Sequence, residues 1–172
     1  MADDTLDPNF GRFAGPLGHI LLEFNYLEAD TGRLIARLLR QDDVTAGVFA
    51  GALGFMEKLR LIKMLGPLKV QDEEMQKEVG EWLKEATRIN ELRNRYVHAE
   101  YMPFLGPNDE LLEMLHRRLK DSAKTIDTST GETLRDLLQP VDAPALKQIA
   151  ADIHQFALRT RILAEKIYDC LP

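Results

Sequence analysis

The sequence predicts an all-α protein in which four long helices form a bundle, with an irregular or β-hairpin excursion around 105–140. The first observation is that apolar residues recur at three- and four-residue steps over most of the chain. The second is that short polar or Pro- and Gly-containing breaks, such as 41–43, 66–70 and 102–109, separate these periodic segments. We expect one helical-bundle domain over 16–172 and a flexible leader at 1–15, because the leader shows no period.

The first predicted helix begins at Pro16 and ends near Leu38, with Gly32 tolerated inside it at some cost. The polar "QDD" at 41–43 supplies the N-cap of a second helix, expected from Val44 to Leu65. In the second half of that helix Lys58 is expected to face solvent, and "GPLKV" ends the helix. The first half carries small residues whose spacing lets another helix approach closely: Ala46, Gly47, Ala50, Gly51, Ala52 and Gly54.

The third predicted helix runs from about Asp72 to Tyr101 and ends before Pro103. The residues of its buried face lie at helical spacing: Met75, Val79, Trp82, Ala86, Ile89, Tyr96 and Val97. Residues 110–140 fit a helix, a strand or a hairpin, and the stretch 121–133 is polar and rich in turn residues. The fourth helix follows Asp142, which supplies its N-cap.

Composition limits the classes of function. Hydrophobic residues make up 45% and charged residues 29% of the 172 residues, as in ordinary globular proteins. A net charge of −6 makes the chain a poor general nucleic-acid binder, so any RNA contact requires a local basic patch. The single cysteine, Cys170, fits a reducing compartment, and neither a signal peptide nor a membrane-spanning stretch is evident. We therefore expect a cytoplasmic protein without a membrane partner.

The sequence predicts no metal and no cofactor. The pairs His19/Glu23 and Glu113/His116 have the spacing seen in di-iron bundles, but such bundles need two Glu-x-x-His elements and this chain has one. We expect these pairs to be surface polar residues. No Walker loop, Gly-x-Gly-x-x-Gly or Gly-x-Ser-x-Gly pattern is present in the sequence.

The charged residue Arg93 falls in the middle of the apolar stripe of the third predicted helix. A buried guanidinium keeps its charge and needs a carboxylate or a phosphate as its partner. Glu28 lies in the middle of the buried face of the first predicted helix, so we expect Glu28 to pair with Arg93. On a continuous helix Arg93 and His98 would point about 140° apart, so one helix does not easily direct both side chains at the same point. A two-fold related partner that supplies a second copy of these residues would ease this constraint.

The stretch "RNRYVH" at 93–98 resembles the Arg-Asn-x-x-x-His signature of HEPN domains, which are small four-helix-bundle proteins. The resemblance implies a metal-independent endoribonuclease that acts as a homodimer, with Arg93, Asn94 and His98 as catalytic residues. It also implies a toxin or defence setting and an antitoxin-like protein partner. Some members only bind partners, so a catalytically inactive dimer serving as an interaction module is the alternative. A toxin branch has tyrosine two residues after the histidine; here Glu100 takes that place and Tyr101 follows it.

The chemistry of RNA cleavage suits these residue types. Histidine titrates near neutral pH and can move the proton of a 2′-hydroxyl, and an arginine fork stabilises the charge that grows on the phosphoryl oxygens. The expected RNA-contacting residues are Arg95, Arg117, Arg118 and Tyr101. Arg117 and Arg118 belong to the most basic run of the chain, 116–124, which otherwise reads as a solvated face.

Overall fold

A computed structural model describes residues 8–108, 110–118 and 138–171. The described residues form five helices: α1 (Pro8–Leu38), α2 (Asp43–Ala52), α3 (Phe55–Lys69), α4 (Glu73–Val97) and α5 (Ala143–Cys170). They also form three strands: β1 (Ala99–Leu105), β2 (Leu111–Arg118) and β3 (Gln139–Pro140). The prediction of a predominantly helical protein is confirmed. The expectation of an all-α protein is corrected, because the three strands pair in one antiparallel sheet.

The boundaries of the first two predicted helices differ from those in the structure. The helix α1 begins at Pro8 and continues through Pro16, and Phe13 on this added segment is buried. The long second helix is divided at Leu53 and Gly54 into α2 and α3, because a new N-terminus forms there, where the amide of Gly54 donates to Glu57 Oε2 over 2.8 Å. As predicted, the Asp42 side chain caps α2 by accepting from the amide of Thr45.

The described chain divides into two compact units. Unit 1 contains α1 up to Ile20 and the residues from Leu92 to Ala150, and unit 2 contains Leu21–Glu91 and the chain from Ala151 onward. Within unit 2, Trp82 stacks on Phe156 with a centroid distance of 5.8 Å and donates its indole hydrogen to Thr160 Oγ1. This bond satisfies the polar atom that the burial of the tryptophan would otherwise leave without a partner.

Of the small residues in this segment, Ala46 and Ala50 lie at the close contact of α2 with α1 in unit 2, whereas Gly47 and Gly51 are exposed. A Cβ atom built on Gly32 of α1 would lie 2.9 Å from the carbonyl oxygen of Ala46 and 3.0 Å from Cβ of Ala50. Real Cβ atoms do not approach backbone so closely, and the absence of a side chain at Gly32 therefore allows α2 to lie directly against α1.

The predicted partner of Glu28 is corrected by unit 2. Lys58 is fully buried, although the sequence pattern placed it on the solvent side, and its Nζ donates to Glu28 Oε1 over 3.1 Å and to the carbonyl of Ala50 over 2.8 Å. A buried ammonium needs a carboxylate for the same reason that a buried guanidinium does. The Glu28 carboxylate therefore accepts a hydrogen bond from Lys58, and this ion pair takes the place of the predicted Glu28–Arg93 pair.

The sheet lies in unit 1. The hairpin of β1 and β2 opposes Tyr101 to His116 and Glu100 to Arg117, and β3 pairs with β2 at Leu115 and His116. Of the irregular or β-hairpin excursion expected around 105–140, the described residues show a hairpin whose first strand starts earlier, at Ala99. The polar stretch 121–133 lies outside the described residues. No helix in the described part of the chain is long and apolar enough to cross a membrane.

Candidate active site

The helix α4 ends at Val97, four residues before the predicted end at Tyr101, and β1 begins at Ala99. His98 therefore lies at the helix–strand junction and not on a helical turn. This changes the geometry of the motif, because the 140° separation of Arg93 and His98 holds only for a continuous helix. The early helix end allows the imidazole of His98 to turn back toward the last turn of α4.

The motif residues Arg93, Asn94 and His98 are joined by hydrogen bonds. Arg93 Nη1 donates to Asn94 Oδ1 over 2.9 Å and lies 2.8 Å from His98 Nε2. A guanidinium has donors only, so Nε2 of His98 accepts the second bond. Nη1 carries two hydrogens, one for each acceptor. We call Arg93, Asn94 and His98 the motif cluster.

The direction of the Arg93–His98 bond determines the form of the histidine. Because Nε2 accepts, His98 is neutral in this arrangement and its ring proton is on Nδ1. Protonation at Nε2 would set two N–H groups against each other and break the contact. The nitrogen lone pair that a general base requires is therefore present on Nε2, with the guanidinium of Arg93 placed directly on it.

The exposure of the motif cluster also differs from the prediction. The apolar stripe of α4 is buried as predicted from Met75 to Ile89, but it ends before the motif. Arg93 is half-buried, and Asn94 and His98 are exposed. The guanidinium thus lies at the margin of the protein, with Nε buried and Nη1 bonded to the exposed Asn94 and His98.

Three rings pack together in unit 1, on residues adjacent in sequence and strand pairing to the motif cluster. The buried His116 ring packs against Tyr96, at a centroid distance of 5.1 Å, and Tyr101, at 6.0 Å. The hydroxyl of Tyr101 donates to the backbone carbonyl of Tyr96 over 2.7 Å. Burial raises the pKa of Tyr101 far above its usual value, with a smaller contribution from Tyr96. Tyr101, expected to contact RNA, instead uses its hydroxyl inside the protein.

His116 was expected on the surface together with Glu113, but it has a structural role in the interior of unit 1. His116 is only 3% exposed and Met114 2%. A partial signal was available in the stretch "LLEMLHRR", because the two-residue period of a strand places Met114 and His116 on the same face. The period alone does not decide the burial of this histidine, because Leu115 on the opposite face of β2 is buried as well.

The expected RNA-contacting arginines have different surroundings. Arg117 donates to Glu100 Oε2 from both Nε and Nη2, at 2.8 and 2.7 Å, across the β1–β2 pair. The Glu100 carboxylate near the motif and the Arg117 charge therefore largely neutralise each other. Arg95 is exposed on α4. Arg118 ends β2, and neither its side chain nor the remainder of the basic run at 119–124 belongs to the described residues.

The chain matches no protein-family model, no curated protein and no solved structure. The described ranges contain no group of three or more His, Cys, Asp or Glu side chains that could hold a metal ion. The chemical interpretation of the site therefore depends on the geometry of the motif cluster and the adjacent rings.

Proposed function

We propose that this protein binds RNA and cleaves it as a metal-independent endoribonuclease of the HEPN type, acting as a homodimer. The observation that carries the proposal is the 2.8 Å contact between Arg93 Nη1 and His98 Nε2 at an exposed helix end. It unites a permanent cation and a neutral imidazole, which are two of the groups that cleavage by the 2′-hydroxyl requires.

The reaction uses the lone pair of His98. Nε2 removes the proton of a 2′-hydroxyl, the 2′-oxygen forms a bond to the adjacent phosphorus, and the bond from phosphorus to the 5′-oxygen breaks. The products are a 2′,3′-cyclic phosphate and a 5′-hydroxyl. The leaving oxygen needs a proton, and the His98 of a second copy, in its imidazolium form, is suited to supply it.

Arg93 has two successive partners in this proposal. Before RNA binds, its Nη1 hydrogen bond occupies Nε2 of His98. A scissile phosphate offers charged oxygens, which are stronger acceptors for a guanidinium than a neutral imidazole. Arg93 therefore moves to the phosphate and leaves Nε2 available as the base. Asn94, whose Oδ1 accepts from Nη1, keeps the guanidinium near the site during this exchange.

The test compares His98→Ala with His19→Ala, because His19 is an exposed histidine elsewhere on α1. Both variants and the unchanged protein are incubated with varied RNAs in the presence of a chelator, and mass is measured by light scattering. We expect His98→Ala to abolish cleavage and keep the dimer, His19→Ala to cleave normally, and all products to end in cyclic phosphates. Cleavage that persists in His98→Ala, or stops on chelation, contradicts the proposal.

The second candidate function is a non-catalytic helical dimer that binds another protein, such as an antitoxin-like partner. The observations favouring it are that Arg93 is hydrogen-bonded within its own turn and that Arg117 is neutralised by Glu100. A wild-type dimer that leaves every RNA intact supports this function and contradicts the ribonuclease.

A further inference from the structure

A groove of about 560 Å³ runs along one face of α3 and α4 within unit 2. The two helices form an antiparallel hairpin, since only Val70, Gln71 and Asp72 connect them. The groove floor is apolar and includes the buried residues Leu59, Ile62 and Val79. Its volume falls within the range of about 300–1,000 Å³ that is typical of small-ligand sites.

The charges that line the groove all have one sign. Arg60 and Lys63 of α3 and Lys84 of α4 line it, and no Asp or Glu does, although the whole chain carries a net charge of −6. All three cations are exposed, and none of them is in an ion pair with another described residue. A ligand that offers a negative group would find this positive potential without competition from a carboxylate of the lining.

The neutral polar side chains of the lining donate their hydrogens within the protein. Gln76 Nε2 donates to the carbonyl of Val70 over 2.7 Å, and Thr87 Oγ1 donates to the carbonyl of Leu83 over 2.9 Å. The three cations are therefore the charged hydrogen-bond donors of this groove that a ligand can use, beside the second amide hydrogen of Gln76. The groove recognises one apolar body and one anionic group.

The groove is polarised along its length. Gly66 and Pro67 lie nearest the connection between the helices, Gly80 and Lys63 lie farther along, and Arg60 and Lys84 lie toward the other end, which thus holds two of the three cations. A Cβ atom built on Gly80 would meet nothing within 4 Å. A glycine inside a helix destabilises it relative to alanine, and packing between the helices does not require one here. Gly80 keeps this part of the groove open.

We propose that this groove binds a single-chain carboxylate amphiphile, with its acyl tail over Gly80 and its carboxylate at Arg60 and Lys84. A protein helix fits less well, because it is about 10 Å wide and a stable protein interface needs about 800 Å² on each partner. A single tail with a single head matches both the small volume and the concentration of charge at one end. The site is independent of the proposed RNA cleavage.

The experiment uses dodecanoate as the probe and dodecanol as its uncharged analogue, each titrated calorimetrically into the full chain below its micelle concentration. We expect dodecanoate to bind at one site per chain and dodecanol to bind about tenfold more weakly, because the alcohol lacks the charge-assisted contacts. Lys84→Glu is expected to remove this preference for the carboxylate. Lys77→Glu, on the same helix but outside the groove lining, is expected to retain it.

The variant Gly80→Leu tests the position of the tail. Leucine favours a helix more than glycine does and has open space here, so the fold is retained, which circular dichroism verifies. We expect binding of both probes to be lost. Absence of dodecanoate binding, equal binding of the alcohol, or equal loss in Lys77→Glu and Lys84→Glu overturns the proposal. If the unchanged protein does not bind dodecanoate and the Gly80→Leu variant has a different oligomeric mass, the groove is a protein interface.

Discussion

The phenolic oxygen of Tyr101 lies 2.7 Å from the backbone carbonyl oxygen of Tyr96, and this hydrogen bond closes the turn between α4 and β1. Tyr96 belongs to the last turn of α4, whose carbonyl groups have no partner within the helix. Tyr101 thus acts as a side-chain cap from the following strand. His98 lies inside the closed turn, so the position of its imidazole relative to Arg93 depends on this bond.

Replacing Tyr101 with phenylalanine keeps the ring packing on His116 and removes the hydrogen bond. We expect the free energy of unfolding to fall by about 1 kcal/mol, as for other buried hydrogen bonds. The opened turn is also expected to shift His98 away from the form protonated only on Nδ1, because its contact with Arg93 loosens. Urea unfolding and nitrogen NMR of the imidazole measure the two effects. Tyr26→Phe, at an exposed tyrosine of α1, is the control.

The raised pKa of Tyr101 predicts that the protein loses stability in alkali. The unfolded chain releases the phenolic proton near pH 10, whereas the folded protein retains it because burial disfavours the phenolate. Between these two pKa values the unfolded state binds fewer protons, so stability is complete below about pH 10 and falls as pH rises further. Tyr101→Phe should flatten this decline in urea midpoints measured from neutral to alkaline pH. An equally steep decline in the variant contradicts the assignment.

The close contact of α1 with α2 predicts opposite effects for two glycines of the same helix. Gly32→Ala places a methyl group against the backbone of Ala46 and Ala50, and we expect a loss of about 1–3 kcal/mol, typical of overpacking. Gly18→Ala meets nothing within 4 Å and should gain about 0.5–1 kcal/mol from better helix propensity. Thermal or urea unfolding of both variants checks the signs. A stabilising Gly32→Ala would show that α2 can move away at little cost.

These positions also show what local sequence patterns could predict. Small residues in the second predicted helix indicated close helix packing, because a small side chain at the contact is a property of the local sequence. The buried stripe of α4 followed from its regular period. Lys58 was misplaced because its charge was taken to indicate solvent, although it lies three residues after Phe55 and next to Leu59, on the buried face of α3. The sequence pattern therefore paired Glu28 with Arg93, whereas its partner in the structure is Lys58.

The helix–strand junction at the candidate site was not predictable from local pattern. Helical spacing continues through Tyr96 and Val97, but β1 forms by pairing with β2, which is more than ten residues away in sequence for most of its length. Such pairing is a tertiary effect that overrides local preference. The motif residues were selected from the sequence and are joined by hydrogen bonds in the structure, whereas the Arg93–His98 contact required knowledge of where the helix ends.

The Glu100–Arg117 pair makes a double-mutant cycle the decisive test of whether Arg117 contacts RNA. Arg117→Ala leaves the Glu100 carboxylate uncompensated near the motif cluster, so RNA binding should weaken even if Arg117 never touches a phosphate. We expect Glu100→Ala together with Arg117→Ala to restore binding close to the unchanged protein, with a coupling of about 0.5–3 kcal/mol. Glu100→Ala alone should strengthen binding and steepen its salt dependence, because it releases a cation. The affinities are measured by fluorescence anisotropy over a series of salt concentrations with a catalytically inactive His98→Ala background. If the double variant binds as weakly as Arg117→Ala, then Arg117 contacts the phosphate directly and its pairing with Glu100 is secondary.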